Sequence, residues 1–157
     1  MNDSKTGDGG EITVSNDVSR FDLERIYAFL HSDAYWCKGL PRDIFERSIR
    51  HSICYGALTG EGAQAGFARV VSDQATFAYL GDVFVFPEYR GKGVSKAMMD
   101  AITTDPRLQG LRRFMLATSD AHGLYARYGF EPLATPARLM EKKDPRGSYE
   151  RRETQIA

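Results

Sequence analysis

An α/β fold, with a mixed central sheet of about seven strands and helices on both faces, is the architecture this sequence predicts. Residues 53–86 hold strand-like runs separated by turn residues, the pattern of consecutive antiparallel hairpins. Val83–Met99 passes from an apolar strand through Pro87 and a Gly-rich basic turn into a helix. Leu111–Thr118 then supplies another strand, which makes that helix a crossover between strands.

Taken in order, residues 1–10 are polar and Gly-rich and read as a flexible tail. Glu11–Ser15 alternates through Ile12 and Val14 as an edge strand. Asp17 or Ser19 is a candidate cap for a helix whose stripe is Leu23, Ile26, Tyr27 and Leu30. Pro41 suits the first turn of a second helix with Ile44, Phe45, Ser48 and Ile49 inward. Ile53–Leu58, Gln64–Val71 and Thr76–Phe86 are strands; the third is almost wholly apolar, as when both sheet faces are covered. A helix is expected over 91–102, its apolar residues Val94, Ala97, Met98, Ala101 and Ile102 lying on one face. After strand Leu111–Thr118, Asp120 is placed to cap a short helix that stops at Gly129. Phe130–Leu133 and Ala137–Glu141 read as two last short strands. The region 144–157 is charged and apolar-poor, and reads as a second flexible tail beyond one domain at 11–142.

The 21 cations and 21 anions cancel. Bulk charge therefore points to neither a nucleic-acid nor a membrane partner. No apolar run approaches the ~20 residues of a membrane span, and the first residues lack an export signal's apolar core. The two cysteines, Cys37 and Cys54, match no metal spacing and read as reduced thiols. A cytoplasmic location and a metal-free site are the resulting expectations.

The turn at residues 90–96 has its own chemistry. Backbone N–H groups at a helix start lack partners, and the macrodipole favours negative charge there. Gly91 and Gly93 let the backbone approach a ligand, and Arg90, Lys92 and Lys96 add charge. This is an anion cradle suited to a pyrophosphate. It is not a P-loop, because Lys92 is followed by Gly93 and no Gly-x-x-x-x-Gly-Lys spacing exists. It is not the dinucleotide fingerprint either, since the third glycine is missing.

Arg90-Gly91-Lys92-Gly93-Val94-Ser95 resembles the signature of the GNAT superfamily of acyl-CoA-dependent N-acetyltransferases, with Ser95 where that family usually has Gly or Ala. Leu124-Tyr125-Ala-Arg-Tyr-Gly129-Phe130 is similar to its later motif, and Pro87–Arg90 to its strand exit. The element order agrees over about residues 11–142. The resemblance implies acetyl-CoA as cosubstrate, with its pyrophosphate on the amides of Arg90–Lys96. It also implies a splayed central strand around Val83, Phe84 and Val85, free to hold pantetheine and polarise the thioester carbonyl.

The implied reaction is attack of a neutral amine on the thioester, which needs a proton acceptor, oxyanion donors and a proton for the leaving thiolate. Tyr125 stands at the family's general-acid position; its other reading is a ring packed inside its helix. Relatives with a side-chain base often carry Glu where this chain has Gly81. Strict alternation puts Asp82 on the opposite sheet face from Gly81 and Tyr79, a structural residue unless a bulge re-aims it. His122, three residues before Tyr125, is a candidate to share its face and shuttle protons. A water chain ordered by Tyr79 is the alternative. In the family the loop between the first two helices overhangs the acceptor, so Tyr35 and Trp36 are candidates to wall that pocket; a cover for the sheet edge is their equal alternative. Arg69, Thr76, Phe77 and Tyr79 on neighbouring strands are weaker candidates for acceptor contacts, and Asp33 or Asp43 could attract an amine, although nothing distinguishes them from solvated acids.

The expected activity is transfer of acetyl to a small-molecule primary amine by a monomer or homodimer. An acyl-CoA-binding regulatory domain without catalysis, or a protein or peptide N-acetyltransferase, are the alternatives.

Overall fold

The computed structural model describes residues 10–154. The expected N-terminal tail therefore falls, apart from Gly10, outside the described residues, as do residues 155–157. The elements are β1 (Thr13–Ser15), α1 (Leu23–Ser32), α2 (Arg42–Arg50), β2 (Ile53–Leu58), β3 (Gln64–Ser72), β4 (Phe77–Val85), α3 (Val94–Thr104), β5 (Arg113–Leu116), α4 (His122–Ala126) and α5 (Tyr149–Thr154). They build one sheet of five strands in the order β1-β2-β3-β4-β5. The first three junctions are antiparallel and the β4–β5 junction is parallel. Two tight turns make the meander. Thr59 closes one through its amide to the Ala63 carbonyl, at 2.9 Å. Asp73 closes the other by accepting from the amides of Ala75, Thr76 and Phe77.

Helices cover both faces, as the apolar periodicities require. On one face Val94, Met98, Met99 and Ile102 of α3 pack against Tyr55, Ala68, Val70, Ala78 and Leu80. On the other, Ile26 and Leu30 of α1 and Phe45 and Ile49 of α2 pack against Phe67, Phe84 and Phe86. Phe84 stacks on Phe29 with ring centroids 4.1 Å apart, which anchors α1 over the end of β4.

The sheet has five strands, where about seven were expected. The missing pair are the runs at 130–133 and 137–141. Pro132 and Pro136 have no N–H to give a ladder, and Pro136–Arg138 forms a 3-10 turn instead. Residues 131–143 are exposed throughout. At the other expected tail, Tyr149–Thr154 is helical and Tyr149 packs on the α1–α2 cluster. Helix α3 starts at Val94, not at 91, because Gly91 and Gly93 have φ of +73° and +77°, outside the helical region. Asp22, not Asp17 or Ser19, caps α1 by accepting from the Arg25 amide. Asp120 does not cap α4; Thr118 Oγ1 accepts from the Ala121 amide in its place.

The end of α3 is tied to β2 by a buried carboxylate. Asp105 accepts from the Tyr55 hydroxyl at 2.6 Å and from Arg107 Nη2 at 2.7 Å. The Arg107 guanidinium, with Tyr55 helping, holds the Asp105 carboxyl well below the usual carboxylate range despite burial. The folded-state value lies below the unfolded one of ~3.9, so the stabilisation is present above that pH and fades as pH falls through it. Asp105→Asn is therefore expected to cost about 1–3 kcal/mol at neutral pH. In urea titrations the gap to wild type should narrow below pH ~4. A gap that stays constant with pH would show that the charge is not the stabilising feature.

Candidate active site

The site begins where the ladder stops. Strand β4 pairs with β5 only from Phe77↔Arg113 to Leu80↔Leu116, yet β4 continues to Val85. Past Leu80 its β5-side backbone faces no strand among the described residues, and the two strands part around a cleft of about 1030 Å³. Val83, Phe84 and Val85 line it.

A bulge sits at the point of parting. Phe67 pairs with Phe84 and Arg69 with Gly81, so two residues of β3 span three of β4. Asp82 carries the irregularity, with φ of +52° in the left-handed region. Its consequence is visible in the packing: Ala78 and Leu80 face α3, whereas Phe84 faces α1 and α2. The sequence expectation that Asp82 lies opposite to Gly81 is thus corrected. Its side chain, 15% exposed, lines the cleft. There it accepts from Arg69 Nε at 2.8 Å and from the Trp36 indole N–H at 2.9 Å. Arg69 also donates to Ser52 Oγ at 3.0 Å. The left-handed backbone costs about 1–2 kcal/mol for a non-glycine residue. Two charge-assisted hydrogen bonds offset it.

At one end of the cleft is the Gly-rich turn. Gly91, Gly93, Val94, Ser95 and Lys96 line it, with Arg90 beside them. A Cβ at Gly91 or Gly93 would meet nothing within 4 Å, so the backbone there lies open. Helix α3 has no side-chain cap at its start, and its first recorded donor is the Ala97 amide. Among the described residues no hydrogen bond to a protein acceptor is recorded for the amides from Gly91 to Lys96. Lys92 departs from expectation: it reaches over the Tyr89 ring and does not line the cleft. Lys96 is paired with Asp100 at 2.7 Å.

At the other end the α1–α2 loop overhangs the opening. Tyr35, 69% exposed, hydrogen-bonds Ser119 Oγ at 2.8 Å, joining this loop to the β5–α4 loop across the cleft. Trp36 and Tyr79, 43% and 39% exposed, line the same end, and the Tyr79 ring lies alongside Gly81. Tyr125 reaches in from α4 and is only 7% exposed. No protein group is recorded as bonded to its hydroxyl among the described residues. Burial, and secondarily the Asp120 carboxylate, raises its phenol above the ordinary value. His122 is not brought to it: in this five-residue helix His122 is exposed and lies outside the cleft. Thr76, Phe77 and Asp43 also stay outside. Asp33 and Asp120 line the cleft, the latter expected only as a helix cap, and so does Ser119, which nothing local in the sequence singled out. Among the described residues, no three His, Cys, Asp or Glu side chains are grouped to hold a metal, and no helix is long and apolar enough to cross a membrane.

This fold and cleft are those of an acyltransferase, and the comparisons give the family. Residues 50–132 match the family model described as Acetyltransferase (GNAT) domain. A candidate acetyltransferase of Gibberella zeae is 34% identical over 139 residues, covering 75% of this chain and 77% of that one. A solved GNAT-family protein from Xanthomonas campestris pv. campestris is 56% identical, with a TM-score of 0.84 over 88% of this chain and 96% of its own. N-acetylglutamate synthase from Neisseria gonorrhoeae, solved with coenzyme A and N-acetyl-glutamate, shares the fold at 16% identity and a TM-score of 0.66, over 94% of this chain and 32% of its own. The chain belongs to the GNAT family of acetyltransferases.

The Trp36–Asp82 contact can be tested directly, because Trp36 is the one tryptophan. Asp82→Gly removes the carboxylate while keeping a residue that accepts positive φ. Acrylamide quenching of Trp36 emission is expected to rise. Unchanged quenching would show that Asp82 does not hold the loop.

Proposed function

We propose that this protein transfers an acetyl group from acetyl-CoA to a primary amine of a small molecule, by direct attack on the thioester. The observation that carries this reading is the continuous cleft from the Gly-rich turn at Gly91–Lys96, along the β5-side edge of β4, to Tyr125. The pyrophosphate suits those amides and the α3 N-terminus, with Arg90 alongside. The β5-side edge of residues 81–85, which no strand covers among the described residues and where the Val85 carbonyl accepts from Arg90 Nε at 3.2 Å, suits pantetheine, whose amides need partners in a strand-like register. Lys92, turned away, contributes long-range charge at most.

In this reading the amine lone pair attacks the carbonyl carbon, and a backbone N–H of the free β4 edge stabilises the oxyanion. The C–S bond then breaks, and the thiolate takes the Tyr125 proton, which solvent later replaces. A phenol raised above ~10 stays protonated through neutral pH and is available as the acid. The amine's proton leaves to water near Tyr79. His122, outside the cleft, has no part in this scheme, and Asp82, engaged by two donors, is a positioning residue. A domain that only binds acyl-CoA is the second reading. The buried, unpartnered Tyr125 hydroxyl favours the enzyme.

Acetyl-CoA is expected to raise the melting temperature, corresponding to about 2.7 kcal/mol at a hundredfold excess over Kd. No shift at saturating ligand would remove the donor assignment. Arg90→Glu should weaken acetyl-CoA binding by about tenfold. Tyr125→Phe should lower kcat by about a hundredfold while leaving acetyl-CoA affinity unchanged. An unaltered kcat would remove Tyr125 as the acid.

A further inference from the structure

Three large aromatic side chains remain open to water at one end of the cleft: Tyr35, Trp36 and Tyr79. Two of them are fixed at their edges. The Tyr35 hydroxyl is tied to Ser119, the Trp36 indole N–H to Asp82, and the Tyr79 ring lies beside Gly81. Tyr35 and Trp36 also meet edge to face, 5.2 Å between centroids. Polar anchors therefore hold the rings of Tyr35 and Trp36 over the opening, with Tyr79 beside them.

The charge at this end is one-sided. Arg69 is its one cation among the described residues, and it is neutralised by Asp82 and donates to Ser52. Asp33 and Asp120 line the same space, and neither carboxylate has a recorded ion pair or hydrogen-bond donor. An acidic pair alone would be a solvated surface. Here it shares the cleft with the buried Tyr125, whose hydroxyl has no recorded protein partner among the described residues, and this marks the space as a ligand's.

We infer that the acceptor is an amine with an aromatic body and no anionic group, an aralkylamine rather than an amino acid or a phosphorylated amine. Its ammonium is drawn in by Asp33 and Asp120, and loses a proton before attack. Its ring lies against Trp36 and Tyr79, where aromatic faces also favour a nearby cation. A carboxylate beside the amine meets two like charges and no free cation, an arrangement that discriminates strongly. This inference rests on the acetyl-transfer reading and adds the acceptor's class to it.

The test uses matched acceptors in a thiol-release assay with acetyl-CoA: tyramine, tyrosine and n-propylamine. Tyramine is expected to exceed tyrosine in kcat/KM by about a hundredfold, and n-propylamine by about tenfold. Tyrosine equal to tyramine, or n-propylamine equal to it, overturns the assignment. Asp33→Asn with Asp120→Asn should narrow the tyramine–tyrosine gap, and a gap of unchanged size overturns the charge argument. Trp36→Ala should raise the KM for tyramine and leave that for acetyl-CoA alone; an unmoved tyramine KM overturns the aromatic wall. Binding is read independently of turnover by titrating tyramine into the coenzyme A-saturated protein and following Trp36 emission. A saturable change that tyrosine does not produce supports the acceptor class even if acetyl transfer fails, and no change overturns it. Failure of the donor reading is separately visible as the absence of an acetyl-CoA melting shift.

Discussion

The end of the β4–β5 ladder at Leu80↔Leu116 is the constraint on which the remaining features depend. A parallel strand pair that stayed closed to Val85 would leave no cleft between β4 and β5, no free backbone edge and no route from α3 to α4. The bulge at Asp82 makes the parting stable. It turns the following residues over, so that Phe84 can stack on Phe29 and fasten α1 above the open end. Backbone strain at one residue is thus offset by an aromatic contact and two hydrogen bonds on its neighbours.

Opposite chemistry occupies the two ends of the resulting channel. Near α3, open amides and the helix dipole favour an anion, and Arg90 adds to them without closing the backbone off. Near the α1–α2 loop, uncompensated carboxylates and exposed rings favour a cation with an apolar body. A net charge of zero over the whole chain conceals this division. Composition is a poor guide to a site whose halves differ in sign.

Much of this was legible in the sequence, for local reasons. The anion turn is encoded by contiguous residues, since two glycines at positive φ and a helix start need no distant partner. The helices announced themselves by apolar spacing, and the hairpins by their turn residues. The acceptor end depends on contacts between residues far apart. Tyr35 meets Ser119 and Trp36 meets Asp82 across separations of 84 and 46 residues. Asp82 itself misled, because period-two alternation fails at a bulge. His122 satisfied helical spacing, but α4 is too short and too exposed at its start to present it inward. The first of the two final runs carries Pro132, which lacks the donor that a ladder needs, and the second is entered through the 3-10 turn Pro136–Arg138.

Gly81 has a different significance from the glycines of the turn. Its φ is not in the left-handed region, and a Cβ there would meet only the Tyr79 ring, at 3.5 Å, an ordinary contact. The backbone does not demand glycine at this position, so a larger side chain is compatible with the existing path of β4. Position 81 is in this sense a vacant address facing the acceptor end of the cleft. Filling it would change the lining of the cleft with little disturbance to how the chain folds, so tolerance and local surface are separable at this position.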